Sequence, residues 1–422
     1  MRLAFVVQRY GLDIAGGAEY ECRLMAEHLA RHASVSVTVV TTCASDYVTW
    51  ANRYPQGEEA VNGILVRRFA VERPRDPEQF AALTARVLGE VARVEPGRFD
   101  PEVLAGVSAG EALAWLDAQG PFCPRLLAHL VQEKDAYDFV IFFSYRYWTT
   151  WHGVHAVPEQ AVLVPTAEDD GAYRLPIFPP LFRAPRALVY NSIEEREMIE
   201  RASGNRGVPA EVVGVGSELP ERLDGEGFRA RHGLDGPFLL YVGRIDLNKG
   251  CPQLFDFFRR YRRETGSPLR LVLMGRSVLA VPVDAGIVTL GFQPDAEKWD
   301  ALAACTAFVL PSAMESLSIA TLEAWWAERP ALVNAKCAVL RGQCKRANAG
   351  LYYASYDEFR EALALLERDA SLRRRLGRNG HRYFEANYAW PVVERKVLDL
   401  LGRLRHEDGA GPRSAGAEGV PA

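Results

Sequence analysis

The chain has 422 residues, enough for two domains or three, each able to bury its own core. Its 50 Lys and Arg stand against 54 Asp and Glu, and a formal net charge of −4 gives no global attraction for nucleic acid. The seven cysteines contain no Cys-x-x-Cys, and no apolar run approaches the roughly 20 residues that cross a bilayer, so neither a disulfide scaffold nor a membrane-spanning chain is expected.

Short apolar runs alternate with amphipathic segments from the first residue onward. RLAFVVQ (2–8), VSVTVVTT (35–42), DFVIFF (138–143), AVLVPT (161–166) and ALVYNS (187–192) predict buried strands. Near-continuous hydrophobicity of this kind suits a parallel sheet covered on both faces. AEYECRLMAEHLARH (18–32) predicts a helix between the first two, and Ser192 with Glu195 has the spacing of a capping box. Residues 74–135 have helical character and form an elaboration of this first unit. A second series follows: PFLLYVG (237–243), LRLVLMG (269–275), GIVTLGF (286–292), TAFVLPS (306–312) and PALVNA (330–335). Two successive strand–helix series predict two Rossmann-like domains, joined near VVGVGSELPER (212–222). The expected division is 1–214, 215–389, a closing helix at 390–405, and a Gly/Pro-rich tail at 406–422 expected to be disordered.

Three stretches carry candidate chemistry. Gly16-Gly17 lie between the first strand and the first helix, where a close backbone approach and a helix start favour phosphate. An ordinary turn would use the same residues. In YVGRIDLNKG (241–250) a strand ends at Gly243, and Arg244 and Lys249 follow on its loop. Strand carboxyl ends face the ligand crevice in open α/β sheets, so two cations there suit a pyrophosphate; a solvated loop is the plainer alternative. ESLSIATLE (315–323) sets Glu315 and Glu323 on either side of a helix start, whose free N–H groups at Ser316, Leu317 and Ser318 attract anions while carboxylates accept from hydroxyls. An acid near a helix start is also what the helix dipole favours by itself.

The combination of GGAE at 16–19, YVGRIDLNKG at 241–250 and PSAMESLSIATLEAW at 311–325, followed by RPALVN, resembles the family 4 retaining glycosyltransferases of GT-B fold over roughly residues 1–404. The resemblance implies that Gly16 and Gly17 line the donor diphosphate. Arg244 and Lys249 would neutralise it as it leaves, Glu315 would hold donor-sugar hydroxyls, and Glu323 would hold the ribose. The ends of the neighbouring strands, Gly243, Gly275 and Phe292 among them, would border the nucleotide. The donor would be a UDP- or GDP-linked sugar, the acceptor a glycan, lipid-linked or small molecule, and no metal or other cofactor would be required. In VPTAEDDGAY Glu168 stands where many relatives carry histidine, and an ionised carboxylate can only accept hydrogen bonds. It would take a sugar hydroxyl or the acceptor proton, or else repel the diphosphate. Asp169, with Tyr145 and Tyr147 of the aromatic run SYRYWTTW (144–151), would contact the acceptor; core packing explains the aromatics equally well. Asp169 and Asp170 raise a metal site, which the absence of any Asp-x-Asp weighs against. His28 and His32, four apart, have no evident third ligand. The setting expected is cytoplasmic, compatible with peripheral contact at the inner membrane face. Other GT-B chemistries, epimerisation or phosphorolysis, and non-catalytic binding of a nucleotide sugar stand as rivals.

Overall fold

A computed structural model describes residues 1–14, 16–94 and 98–409. The first sheet has eight strands, β1 (Arg2–Val7), β2 (Ser36–Thr42), β3 (Gly57–Val61), β4 (Ile64–Phe69), β5 (Phe139–Phe143), β6 (Ala161–Val164), β7 (Ala187–Tyr190) and β8 (Ala210–Val212), in the order β3-β4-β2-β1-β5-β6-β7-β8. All pairs are parallel except the β3–β4 hairpin. The second sheet has six, β9 (Phe238–Val242), β10 (Arg270–Met274), β11 (Ile287–Gly291), β12 (Ala307–Leu310), β13 (Ala331–Asn334) and β14 (Gly350–Tyr353), in the order β11-β10-β9-β12-β13-β14, all parallel.

The central strands are buried on both faces, as their unbroken apolar sequences require; β5 (FVIFF) and β12 (AFVL) expose no residue. Each sheet has one point where the strand order reverses. β1 lies between β2 and β5, and β9 lies between β10 and β12. Connections that leave such a strand in opposite directions open a crevice at its carboxyl end. Gly16-Gly17 follow β1 and the 243–250 loop follows β9, so both sequence-selected loops sit at reversal points.

The helix Trp390–Gly409 packs on the first-domain helix Gly17–Leu29 and on β8. Its buried stripe, Val393, Val397, Leu400, Leu401 and Leu404, recurs at helical spacing. The helix extends into what the sequence suggested was tail: 406–409 continue its last turn, and 410–422 lie outside the described residues. All seven cysteines are buried and free, and no helix among the described residues is long and apolar enough to cross a membrane.

Candidate active site

Beyond Val242 the chain turns through 243–250 into the helix Cys251–Thr265. Gly250 has φ +71°, and a Cβ there would meet the Pro311 carbonyl oxygen at 2.5 Å, so only glycine lets this loop lie against the end of β12. Asp246 fixes the loop from within. Its carboxylate accepts from Arg244 Nε and, at 2.8 Å, from the Lys249 backbone N–H, while Tyr241 Oη donates to the Arg244 carbonyl at 2.6 Å. Arg244 is thus oriented through Nε. Its terminal nitrogens donate no hydrogen bond among the described residues, and its side chain is 44% exposed.

Lys249 reaches the neighbouring strand end, where its Nζ donates to Glu315 Oε1 at 2.6 Å. Burial opposes the ammonium charge, but Glu315 and Glu168 more than restore it and push its pKa up. Glu168 arrives from the first domain on the loop after β6. Burial pushes its carboxyl up to about 7; Lys249 pulls it down, and Glu315 and Asp170 push it up again. Lys249 is thus ion-paired with Glu315 and also sits in the field of Glu168 from across the cleft.

After Glu315, Ser318 adopts φ +73° and caps the helix Ile319–Trp326, its Oγ accepting from the Thr321 N–H at 3.4 Å. The backbone N–H groups of Ser316 and Leu317 donate to no group among the described residues. Glu323, only 3% exposed, accepts from Lys298 Nζ at 2.7 Å. Burial pushes Glu323 up and Lys298 opposes this; for Lys298, burial lowers the pKa and Glu323 more than reverses it. Tyr20 of the first-domain helix is pushed up to about 12, chiefly by burial, and feels both Lys298 and Glu323. A second carboxylate–ammonium pair thus stands one helix turn or two beyond the first, again beside a first-domain residue. Sequence reasoning named both acids but missed Lys298, Asp246 and Tyr20. Lys298 sits on the helix Asp295–Ala304, 25 residues from Glu323, and no local pattern marks it.

The remaining sequence-selected residues divide. Gly16 precedes the helix Gly17–Leu29 as a cap without a side-chain bond, and Gly17 opens it. Gly275 lets β10 end against β9, since a Cβ there would lie 1.9 Å from the Gly243 carbonyl oxygen. Phe292 follows β11 and is 76% exposed. Asp169 is exposed and accepts from Tyr173 Oη at 3.0 Å. Tyr147 is partly buried edge-on to Trp50. Tyr145 requires a correction. It is 2% exposed, packed edge-on to Phe178 with ring centroids 4.8 Å apart, and belongs to the core rather than to an acceptor wall. Asp170 likewise pairs with Arg146 at 2.7 Å and accepts from the Ala172 N–H at 3.1 Å. The capping box at Ser192 forms by half. Ser192 accepts from the Glu195 N–H at 3.2 Å, but the Glu195 carboxylate turns away to the backbone N–H groups of Ala167 and Asn191.

Comparison with known proteins agrees with this architecture. Residues 226–383, less than half of the chain, match the family model "Glycosyl transferases group 1". No curated protein matches the sequence. Among solved structures, sucrose-phosphate synthase from Thermosynechococcus elongatus is similar with a TM-score of 0.67 at 16% identity, over 97% of this chain and 100% of that one. Anabaena HepE in complex with UDP and glucose gives 0.65 at 14% identity, over 96% and 100%. A trehalose-6-phosphate protein from E. coli bound with UDP-2-fluoro glucose gives 0.65 at 13%, over 95% and 99%. The fold is GT-B, two Rossmann-like domains facing a cleft.

Proposed function

We propose that the protein is a retaining glycosyltransferase of family 4 type that moves a hexose from a UDP- or GDP-linked donor to an acceptor hydroxyl. The observation that carries this reading is the convergence of Arg244, Lys249 and Glu315 at the strand-order reversal of the second domain, opposite Glu168 of the first. The second-domain match to glycosyl transferases group 1, and UDP or a UDP-sugar bound in structures of the same fold, support it.

In this reading Lys249 and the terminal nitrogens of Arg244 meet the diphosphate, and the Ser316 and Leu317 N–H groups add fixed dipoles. Glu315 takes donor-sugar hydroxyls and Glu323 the ribose. As the bond from the anomeric carbon to the leaving phosphate oxygen breaks, negative charge grows on the diphosphate, where the cations are already oriented and need no reorganisation. The acceptor oxygen bonds to the anomeric carbon from the same face, and its proton passes to the departing phosphate. The two side-chain cations supply the charge that a metal would otherwise bring, so the reaction proceeds in the presence of a chelator. A cytoplasmic location, where nucleotide sugars are made, fits this chemistry.

Arg244→Ala and Lys249→Ala each lower turnover by about a hundredfold or more, the scale of losing one charge-stabilising donor. Sugar transfer from UDP- and GDP-sugars is followed by nucleotide release, with product anomers assigned by NMR and folding checked by circular dichroism. Near-normal turnover in both variants removes the proposed clamp.

A further inference from the structure

A cavity of about 720 Å³ lies between the domains, with Asp169 and Glu315 in its wall. Its volume is that of a small-molecule site. One side is the first-domain helix Ile193–Ser203; the other is the second-domain helix Ala338–Ala347 with the preceding Lys336. Ala338, Arg341, Gly342 and Lys345 line the cavity at the spacing of one helical face. The two helices meet at Gly342, where a Cβ would lie 1.8 Å from Glu194 Oε1. Arg346 fastens that seam, its Nη1 donating to Glu194 Oε1 at 2.5 Å and its Nη2 to Oε2 at 3.0 Å.

The charges in this cavity do not cancel pairwise. Arg346 is spent on Glu194, Arg201 lies 3.7 Å from Glu197, and Lys249 neutralises Glu315. Asp169 has Arg174 at 3.5 Å, and Glu195 serves two backbone N–H groups. Lys336 and Arg341 have no acidic partner among the described residues, and Lys345 has only the face of Tyr352, at 5.7 Å. Three cations without an ion-pair partner therefore line an interdomain crevice whose acids are engaged elsewhere, Glu195 with backbone N–H groups and the others with other cations. They stand apart from the Arg244–Lys249 loop, on the helix Ala338–Ala347 and just before it.

We propose that this cavity receives the acceptor and that the acceptor carries a phosphate group, held by Lys336, Arg341 and Lys345 while its nucleophilic hydroxyl lies toward Glu315 and Glu168. The inference rests on the glycosyl-transfer reading. Arg341 offers the planar fork that matches phosphate oxygens, and the two lysines add mobile point charges. The phosphate takes no part in bond making; it fixes which hydroxyl meets the anomeric carbon. Its source is either a soluble sugar phosphate or a phospholipid headgroup.

The test uses the full chain saturated with UDP or GDP, so that the diphosphate site is occupied, and titrates inorganic phosphate by calorimetry. The wild type binds it. Lys336→Ala/Arg341→Ala keeps its nucleotide affinity within about twofold and weakens phosphate binding at least tenfold, about 1.4 kcal/mol. Displacement of phosphate by glucose 6-phosphate supports the soluble source, and displacement by phosphatidylinositol vesicles, with phosphatidylcholine vesicles inert, supports the lipid source. Equal phosphate binding in the two proteins, or none in either, overturns the proposal. So does a defect of the double variant confined to uronic-acid donors, which would assign the cations to the transferred sugar. Failure of both nucleotides to bind the wild type would instead count against the glycosyl-transfer reading itself.

Discussion

Glu168 shows how one side chain sets the ionic balance of the cleft. Burial and the carboxylates of Glu315 and Asp170 favour its neutral form, Lys249 favours its charge, and the result is a group pushed up to about 7. Below that pH it is a hydroxyl donor and adds no charge. Above it, it is a second carboxylate close to Lys249. In the proposed reading a bound diphosphate needs Lys249 and is repelled by ionised Glu168, so donor binding takes up a proton. Affinity for an intact nucleotide sugar therefore falls as pH rises through about 7, by up to roughly tenfold per unit where one proton is linked. Glu168→Gln, neutral at every pH, flattens this dependence. Calorimetry from pH 6 to 8 checks it, and a wild-type affinity constant across that range refutes the linkage. Donor binding is the sensitive readout, because Glu168 lies on the opposite domain from the diphosphate clamp and acts on it only through charge.

Among the elements, the start of the helix Ile193–Ser203 governs where Glu168 sits. Glu195 Oε1 accepts from the Ala167 N–H at 2.5 Å and its Oε2 from the Asn191 N–H at 2.6 Å, binding the loop after β6 to the end of β7. Glu195→Ala leaves two buried N–H groups without acceptors, a cost of about 1–3 kcal/mol for each. It lowers thermal stability and also releases the loop that carries Glu168. Turnover measured well below the melting temperature falls more than nucleotide affinity does; if both are unchanged, Glu195 is merely structural. The sequence predicted the helix and its Ser192 cap but misassigned this carboxylate, because capping-box spacing cannot show that a nearer pair of backbone donors competes for it. The same limit explains Tyr145. Ser144 has φ +64°, which turns the chain after β5 and sends the Tyr145 ring inward, and no run of aromatic letters reveals that turn. The ten strands named from apolar runs all form, most of them because burial on both faces leaves a continuous signature; β11, with no fully buried residue, still carries the apolar run IVTLG. The hairpin of β3 and β4 escaped because β3 is an exposed edge with the sequence GEEAV, although Asn62-Gly63 between them, both at positive φ, are the residues a tight hairpin turn favours. At the site, Arg244, Lys249, Glu315 and Glu323 were legible as residues. Their pairings were not, because Lys249 and Glu315 are 66 positions apart and Lys298 and Glu323 belong to different helices.

Across the whole molecule, a cleft enzyme needs its two halves held in a defined relation, and the chain supplies this after residue 389. The helix Trp390–Gly409 starts beside the second domain's last helix, Ala370–Asn387, and lies on the first domain. Trp390 stacks on His28 with ring centroids 3.6 Å apart and planes at 10°. His28 Nδ1 is 2.8 Å from Glu394 and its Nε2 is 2.7 Å from Glu218, on the segment that joins the domains. The Trp390 ring also approaches that same segment so closely that a Cβ on Gly216 would lie 2.7 Å from it. One indole therefore fills the corner where first domain, joining segment and returning helix converge. Trp390→Ala empties that corner at a cost of about 3–5 kcal/mol, the usual scale for losing a buried tryptophan. The two cations proposed for the diphosphate, Arg244 and Lys249, lie on the second domain, so nucleotide affinity per folded molecule falls less than turnover, by no more than about threefold. Turnover needs Glu168 and the acceptor brought against that domain, and falls at least tenfold even at temperatures where the variant remains folded. Trp390→Phe, which keeps a ring against His28, recovers most of both losses. Melting curves, nucleotide titration and initial rates on the same samples separate the two effects, and a Trp390→Ala variant that is less stable but turns over normally would show that the returning helix supports the fold without setting the geometry of the cleft.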